Sequence, residues 1–521
     1  MADAERPRVT YATLTADNEA LHTHYERGAD TARSWLGRVI PVDVGGESRT
    51  TGEPFTVTSP ADTSLVLCQG RTATAQDVDD AVRAAATAVS WAPQAERLRV
   101  LRAAADLISE RSGELAALMT MEVGKNRLEA LGDVEESADL IRYYCDRFEE
   151  HGGFAADMAR LSEREHTRSV LRPYGVWGVI SPFNFPSALA AGPLGAALVA
   201  GNSTVLKPST QGTFSAAKLV ECLREAGVPA NALHLLPGGD DTGKALVAHP
   251  GVDGLTFTGS HAAGMEVYRS FAGAYPKPVV CEMGGKNPTI VTADADLDVA
   301  ATGIARSAFG FSGQKCSACS RVYVHRDVHD ELVARLVAKT AELVVGDPLE
   351  RPVFVGPVVD ADAVARFSDA VAHAREVGRV VAGGEVLGAG DGRADGHYVA
   401  PTVVTGVPVD DRLFRDELFV PLVAIAPVDS LDEALALAND TDFGLTAGLF
   451  SGDDADVERF LDEIEAGVVY VNRAAGATTG AWPGVQPFGG WKGSGSTGKA
   501  GGGPHYVQLY LREQSRTVVS R

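Results

Sequence analysis

Two spacings of apolar residues organise the chain. Over Ala75–Ala92, Val78, Val82, Ala85 and Ala88 recur at the spacing of one helix face, and Thr74 stands where an N-cap oxygen would. The same spacing predicts a single helix over Ala95–Glu122, stopped by Gly124, and another over Leu128–Glu149, ending near Gly152. Near Val170 the pattern changes. Short unbroken apolar runs at Val176–Ile180, Thr204–Leu206, Leu233–Leu236 and Gly254–Phe257 are separated by helical stretches over Phe214–Ala226 and Thr242–His249. Runs without a polar alternate suit strands buried on both faces. Their alternation with helices predicts a parallel, doubly wound α/β sheet. Such sheets take ligands at the carboxyl ends of their strands. The second half repeats the theme, with helices over Val328–Leu343, Ala361–Glu376 and Leu431–Asn439 and strands at Val380–Ala382, Val423–Ala426 and Val468–Val471. Tyr506–Val519 alternates like an edge strand, and Glu163–Leu171 alternates more weakly.

Composition narrows the class. A chain of 521 residues exceeds one ordinary hydrophobic core, so two large domains are expected. The formal charge of −22 would repel phosphate backbones and anionic lipid, so neither nucleic acid nor membrane is expected as a partner. No apolar run reaches the roughly 20 residues of a membrane span. Nor does Met1–Arg8 read as a secretory signal. Six cysteines are too sparse for a disulfide scaffold and point to a reducing, cytoplasmic setting. Cys316 and Cys319 form a C-x-x-C, but no second pair completes a zinc site, so no metal is expected.

Four stretches carry candidate chemistry. Phe309–Arg321 sets Cys316 in a glycine-bearing segment between a helix and a strand, where a nucleophile is held by rigid neighbours; a small buried thiol is the plainer reading. Asn184 follows the strand ending at Ile180 and could offer an amide to an oxyanion, or cap the next helix. Glu282, between an apolar run and Gly284-Gly285, could be a half-buried base, or pair with Lys286 or Arg321. Lys207, at another strand end, could bond ribose or phosphate, or simply be solvated. The turn Phe257-Thr-Gly259-Ser260, with Gly264 beyond it, leaves a strand and opens a helix over Ser260–Phe271, so its N–H groups could face a pyrophosphate. Gly493–Gly498 matches G-x-G-x-x-G in letters, but follows no strand and reads as a flexible loop.

Taken in order, Asn184, Lys207, Gly259-Ser260, Glu282, Cys316, Glu417-Leu-Phe419 and Pro487-Phe-Gly-Gly490 resemble the motif series of the aldehyde dehydrogenase superfamily, over roughly residues 40 to 515. Within it, Ala308–Arg321, Gly484–Gly490 and Lys499–Tyr506 are most similar to the branch that oxidises L-glutamate γ-semialdehyde. The resemblance implies an aldehyde dehydrogenase-like fold of two doubly wound α/β domains and a β oligomerisation arm. An NAD-binding domain would span 1–153 and 174–284, a catalytic domain 285–487, and the arm 154–173 and 488–521. It implies Cys316 as nucleophile, Asn184 as oxyanion donor and Glu282 as the base that activates water. NAD, with NADP as the alternative, would meet Ser181, Phe183, Lys207, Ser209, Thr210, Gly259, Ser260, Gly264, Glu417 and Phe419. An amino-dicarboxylic semialdehyde would meet Glu136, Phe185, Ser317, Gly480, Ala481 and Phe488. A homodimer or larger homo-oligomer is implied by the paired arm segments.

Three departures from the family pattern stand out. Ala474–Thr479 runs about three residues long, Thr210 stands where many relatives carry an acid, and Val420 replaces a glycine. The same chemistry on succinate semialdehyde or a betaine-type aldehyde is the nearest rival. A CoA-acylating relative would not need Glu282, and a silent binding protein would not need the set of Cys316, Asn184 and Glu282.

Overall fold

The computed structural model describes residues 9, 13–15, 17–50, 52–273, 275–474 and 482–520. Among them two seven-stranded sheets dominate. The first runs Val279–Glu282, Gly254–Thr258, Val176–Ser181, Ser203–Pro208, Leu233–Leu235, Val42–Val44, Glu47–Arg49 from edge to edge. Its first five strands are parallel, and the Val42–Arg49 hairpin closes it antiparallel. Every residue of Val176–Ser181 and Ser203–Pro208 is buried, as expected of runs covered on both faces. The second sheet runs Arg379–Ala382, Thr402–Thr405, Leu422–Val428, Cys319–His325, Asn287–Val291, Thr446–Phe450, Val468–Val471, parallel except for its first strand. The chain passes from one sheet to the other at Met283–Lys286, directly after Glu282. Cys316 lies three residues before the second sheet's Cys319–His325 strand.

Thr74 forms a capping box with Asp77, but its helix ends at Ala86 rather than continuing to Ala92. The single helix expected over Ala95–Glu122 is two, Gln94–Glu110 and Ser112–Val123, broken at Arg111. The cause is a crossing. The helix Glu19–Ser34 passes so close that a Cβ on Gly28 would lie 2.2 Å from the Gly113 carbonyl carbon. His24 Nε2 then accepts the Gly113 N–H at 3.0 Å, satisfying an amide freed by the break. The long helix Arg127–Glu150 starts at Asn126, whose side chain caps it, and turns Asp133 and Glu136 inward.

Tyr506–Tyr510 is a buried 3-10 turn rather than the start of a strand. Only Leu511–Val519 is extended. It pairs antiparallel with Glu165–Pro173, and Ala155–Asp157 completes a three-stranded sheet. None of the described helices is long and apolar enough to cross a membrane.

Candidate active site

Cys316 is reached through an unusual backbone. Phe311, Ser312 and Gly313 all take positive φ, at 47°, 54° and 68°. For two non-glycine residues this costs on the order of 1 kcal/mol or more each, so neighbours must hold it. Ser312 Oγ donates to the Gly356 carbonyl at 2.7 Å, and Gln314 Oε1 accepts the Val359 N–H at 2.8 Å. On the other side Asn287 Nδ2 donates to the carbonyls of Cys316 at 2.7 Å and Ala318 at 2.9 Å. The nucleophile candidate is therefore clamped from both directions, with its side chain against a cavity of about 440 Å³. Although its surface reaches that cavity, the thiol sits deep in the protein. Burial, then the charges of Glu417 and Glu282, push it up to about 12.

Glu282 lines the same cavity from the last position of its edge strand. Its Oε2 accepts the Gly490 N–H at 3.3 Å. Among the described residues it pairs with neither Lys286 nor Arg321. Arg321 donates to the carbonyls of Lys286, Leu437 and Ala438, and the buried Lys286 ammonium has no hydrogen-bond partner among the described residues. With no counter-charge, burial pushes Glu282 up to about 8, and the Gly490 amide pulls it only partly back. Asn184 is buried and also faces the cavity. It caps nothing; the helix Ala188–Ala200 begins after Ser187. One amide hydrogen donates to the Gln314 carbonyl at 3.1 Å, leaving the other for the cavity.

Phe183, Gly259, Ser260, Glu417 and Phe419 line the cavity too. Ser260 is exposed and caps the helix His261–Ser270, accepting the Ala263 N–H at 3.3 Å. Gly285 N–H donates to Glu417 at 2.9 Å, and burial raises that carboxyl to about 7. A Cβ on Gly284 would lie 1.9 Å from Glu417 Oε2, so any side chain there would displace the Glu417 carboxyl. Phe419, at φ 57°, meets Phe183 edge to face with centroids 6.0 Å apart. The Val420 carbonyl presses on the nucleophile's loop, 2.5 Å from where a Cβ on Gly313 would stand.

Ser181, Lys207, Ser209 and Thr210 do not line the cavity. They gather beyond it, at the carboxyl ends of two adjacent strands. Lys207 is buried rather than solvated. Its ammonium donates to the carbonyls of Pro208 and Gly238, both at 2.8 Å, and keeps a third hydrogen. Burial lowers it to about 8. Ser209 and Thr210 hydroxyls both donate to Gln211 Oε1, at 2.7 and 3.0 Å. Gly264 packs its helix against Met283. A spare ammonium hydrogen and an exposed helix N-terminus as donors, with a carboxylate in the cavity wall as acceptor, fit a dinucleotide.

Glu136, Phe185, Ser317 and Phe488 join Cys316 in the cavity wall. Burial, then the neighbouring Asp133 charge, hold Glu136 well above the usual carboxylate range. Gly480 and Ala481, with most of the long loop before them, lie outside the described residues. Beyond Glu136 and Phe185 a second cavity of about 390 Å³ is lined by Lys125, Arg306, Lys315 and Arg473 among others. Three groups here escaped the sequence reading: the buried Lys125–Asp133 pair at 2.6 Å, whose ammonium lies 3.3 Å from the Phe185 ring centre, and the cavity-lining Tyr144 and Tyr506. Spacing could have flagged Tyr506 and Tyr510 as one face of a turn.

Cys319 is a packing residue, its sulfur 3.2 Å from Thr289 Oγ1. The Gly493–Gly498 segment is no flexible loop but a strap. Ser494 Oγ donates to the Gly284 carbonyl at 2.7 Å, and Ser496 Oγ accepts the Cys281 N–H at 2.8 Å, fixing the strand that ends in Glu282.

A cysteine, a carboxylate and an amide thus face one cavity of a fold built on two doubly wound sheets. The aldehyde dehydrogenase family model matches residues 47–515, and the chain belongs to that family of oxidoreductases acting on aldehydes. Its α/β fold agrees with that of solved relatives. The chain is 38% identical to a 1-pyrroline-5-carboxylate dehydrogenase of Bacillus cytotoxicus, over 95% of this chain and 96% of that one. The NAD-bound 1-pyrroline-5-carboxylate dehydrogenase from Thermus superposes with a TM-score of 0.92 at 33% identity, covering 100% and 99% of the two chains. Proline utilization A from Bdellovibrio bacteriovorus, inactivated by N-propargylglycine, matches with a TM-score of 0.90 at 34% identity over 95% of this chain. This chain spans about half of that one, 52%.

Proposed function

We propose that this enzyme oxidises L-glutamate γ-semialdehyde, which equilibrates with 1-pyrroline-5-carboxylate, to L-glutamate, using NAD, in proline catabolism. One observation carries the reading: Cys316, Glu282 and Asn184 share a cavity with Glu136, Phe185, Ser317 and Phe488, in a chain 38% identical along nearly its whole length to a relative of that name. The Cys316 thiol gives up its proton to solvent water, and the sulfur bonds the aldehyde carbon. The carbonyl oxygen gains negative charge and is held by Asn184 and the Cys316 N–H. NAD, when bound, supplies the acceptor for the hydride that leaves this carbon, and the product on Cys316 is a thioester. Glu282 takes a proton from water as the oxygen attacks, and Cys316 departs as thiolate. Lys207, Glu417 and Ser260 would hold the cofactor, with Ser181, Phe183, Ser209, Thr210, Gly259, Gly264 and Phe419 around it.

Glu136 suits the substrate's ammonium, and Ser317, Gly480 and Ala481 its carboxylate, with Phe185 and Phe488 against the aliphatic chain. The second cavity's lining has more basic than acidic side chains, even with Lys125 and Lys315 paired to Asp133 and Glu129, which favours an anionic aldehyde. The residues group into a cofactor domain (1–153, 174–284), a catalytic domain (285–487) and an arm (154–173, 488–521). The exposed strand Leu511–Val519 supports use of the arm in a homo-oligomer, and six unpaired cysteines suit the cytoplasm. The test compares reduction of NAD with glutamate semialdehyde and with propanal. A specificity constant at least a hundredfold higher for the semialdehyde is expected; equal constants would overturn the substrate assignment.

A further inference from the structure

Behind the cavity, four side chains form a chain of hydrogen bonds whose direction is set by the bond between Tyr510 and Tyr506. Trp177 is fully buried on the first sheet, and its indole N–H can only donate. It donates to Thr256 Oγ1, on the adjacent strand, at 2.9 Å. Thr256 Oγ1 lies 3.0 Å from Tyr510 Oη, and Tyr510 Oη donates to Tyr506 Oη at 2.9 Å. A phenol has one hydrogen. With Tyr510 spending its own on Tyr506, the Thr256–Tyr510 bond must be donated by Thr256. The order is therefore Trp177, Thr256, Tyr510, Tyr506, each donating to the next.

Tyr506 is the last member and the only one of the four in the cavity wall, where Glu282 and Cys316 also stand. Its oxygen accepts from Tyr510, and among the described residues its own hydrogen has no acceptor. The ring is held in place, stacked on Tyr144 at 5.4 Å and edge-on to Tyr510 at 5.4 Å. Glu282 is close enough for its charge to be felt by both phenols. One Glu282 oxygen is taken by the Gly490 amide. The other has no protein donor among the described residues.

We infer that Tyr506 is a positioning residue for Glu282: the donor chain leaves its hydroxyl hydrogen for the cavity, where, through one water, it aligns the Glu282 carboxylate that takes the attacking water's proton. This rests on the reaction proposed above. A donor aimed at the carboxylate favours its ionised form, so the tyrosine also moves Glu282's working range downward in pH. The indole takes one lone pair of Thr256 Oγ1 and leaves the threonine hydrogen to turn toward Tyr510. Reversed, the chain would offer the cavity an acceptor instead of a donor.

The test follows two signals in rapid mixing of the full-length enzyme with NAD and aldehyde: nicotinamide reduction, and release of free acid after quenching. Tyr506→Phe removes one oxygen. It is expected to leave the rate of reduction in the first turnover within twofold of wild type. Acid release should slow about tenfold, the worth of one hydrogen bond of this kind, and its pH midpoint should move upward. Tyr510→Phe, which cuts the chain one link earlier, should slow acid release less, in the same direction. Equal slowing of both signals in Tyr506→Phe, or unchanged acid release and pH midpoint, would overturn the assignment. A wild-type enzyme that reduces no NAD with any aldehyde would refute the proposed reaction instead, and this role with it.

Discussion

Glu282→Gln isolates the proton-accepting step. The glutamine keeps the size and the Gly490 contact but cannot take a proton. In the wild type, a carboxyl pushed up to about 8 by burial is only partly ionised at neutral pH. Roughly one molecule in ten carries the charge at pH 7 and roughly nine in ten at pH 9, from the ordinary titration relation. Because the protonated form is the inactive one, acid release should climb about ninefold between those pH values and level off above. Losing a general base costs on the order of 10²- to 10⁴-fold. Glu282→Gln should therefore slow acid release by that factor and flatten its pH dependence. The first transfer to NAD should persist as a single stoichiometric burst, since Cys316 and Asn184 are untouched. Quenched-flow measurement of free acid alongside absorbance of the reduced nicotinamide reads both steps. A glutamine variant that keeps the ninefold slope, or loses less than threefold at pH 9, would refute Glu282 as the base.

Gly284→Ala would drive a methyl group into Glu417, so affinity for NAD should fall at least tenfold in a fluorescence titration while the fold survives by circular dichroism. Thr210 leaves no carboxylate in its position to repel a 2′-phosphate; Thr210→Glu should lower NADP-dependent turnover at least tenfold and leave NAD-dependent turnover within threefold. Lys125→Met strands the buried Asp133 charge, and breaking such a pair typically costs about 3–5 kcal/mol, so the urea midpoint should drop markedly; Lys125→Met with Asp133→Leu should recover most of it.

The strand–helix alternation was legible because both sheets are covered on two faces. Unbroken apolar runs such as Val176–Ile180 follow from that burial. The break at Arg111 was not legible, because it is imposed by the crossing with Gly28, far away in the chain. Cys316, Glu282 and Asn184 were singled out from motifs in order, and the structure brings them to one cavity, but their partners were not legible. The choice between an ion pair and an isolated carboxyl at Glu282 depends on where Arg321 points, and Arg321 points at carbonyls of a different segment. Tyr506 was misread for a related reason. Its alternation with neighbours resembles a strand, yet burial against Trp177 and Tyr144 winds those residues into a turn.

The sheet joining Glu165–Pro173 to Leu511–Val519 bears on how the protein is made. Ser169 and Glu513, bonded across it, are 344 residues apart in the chain. During synthesis the first of these strands emerges long before its partner exists. It must wait with an open hydrogen-bonding edge while both large sheets assemble. The turn that carries Tyr506 and Tyr510 directly precedes Leu511–Val519. That part of the cavity wall and the arm are thus completed together, after both large sheets. A chain cut before Tyr506 would carry an unfinished cavity wall and an unpaired edge, a substrate for chaperones rather than a weak enzyme.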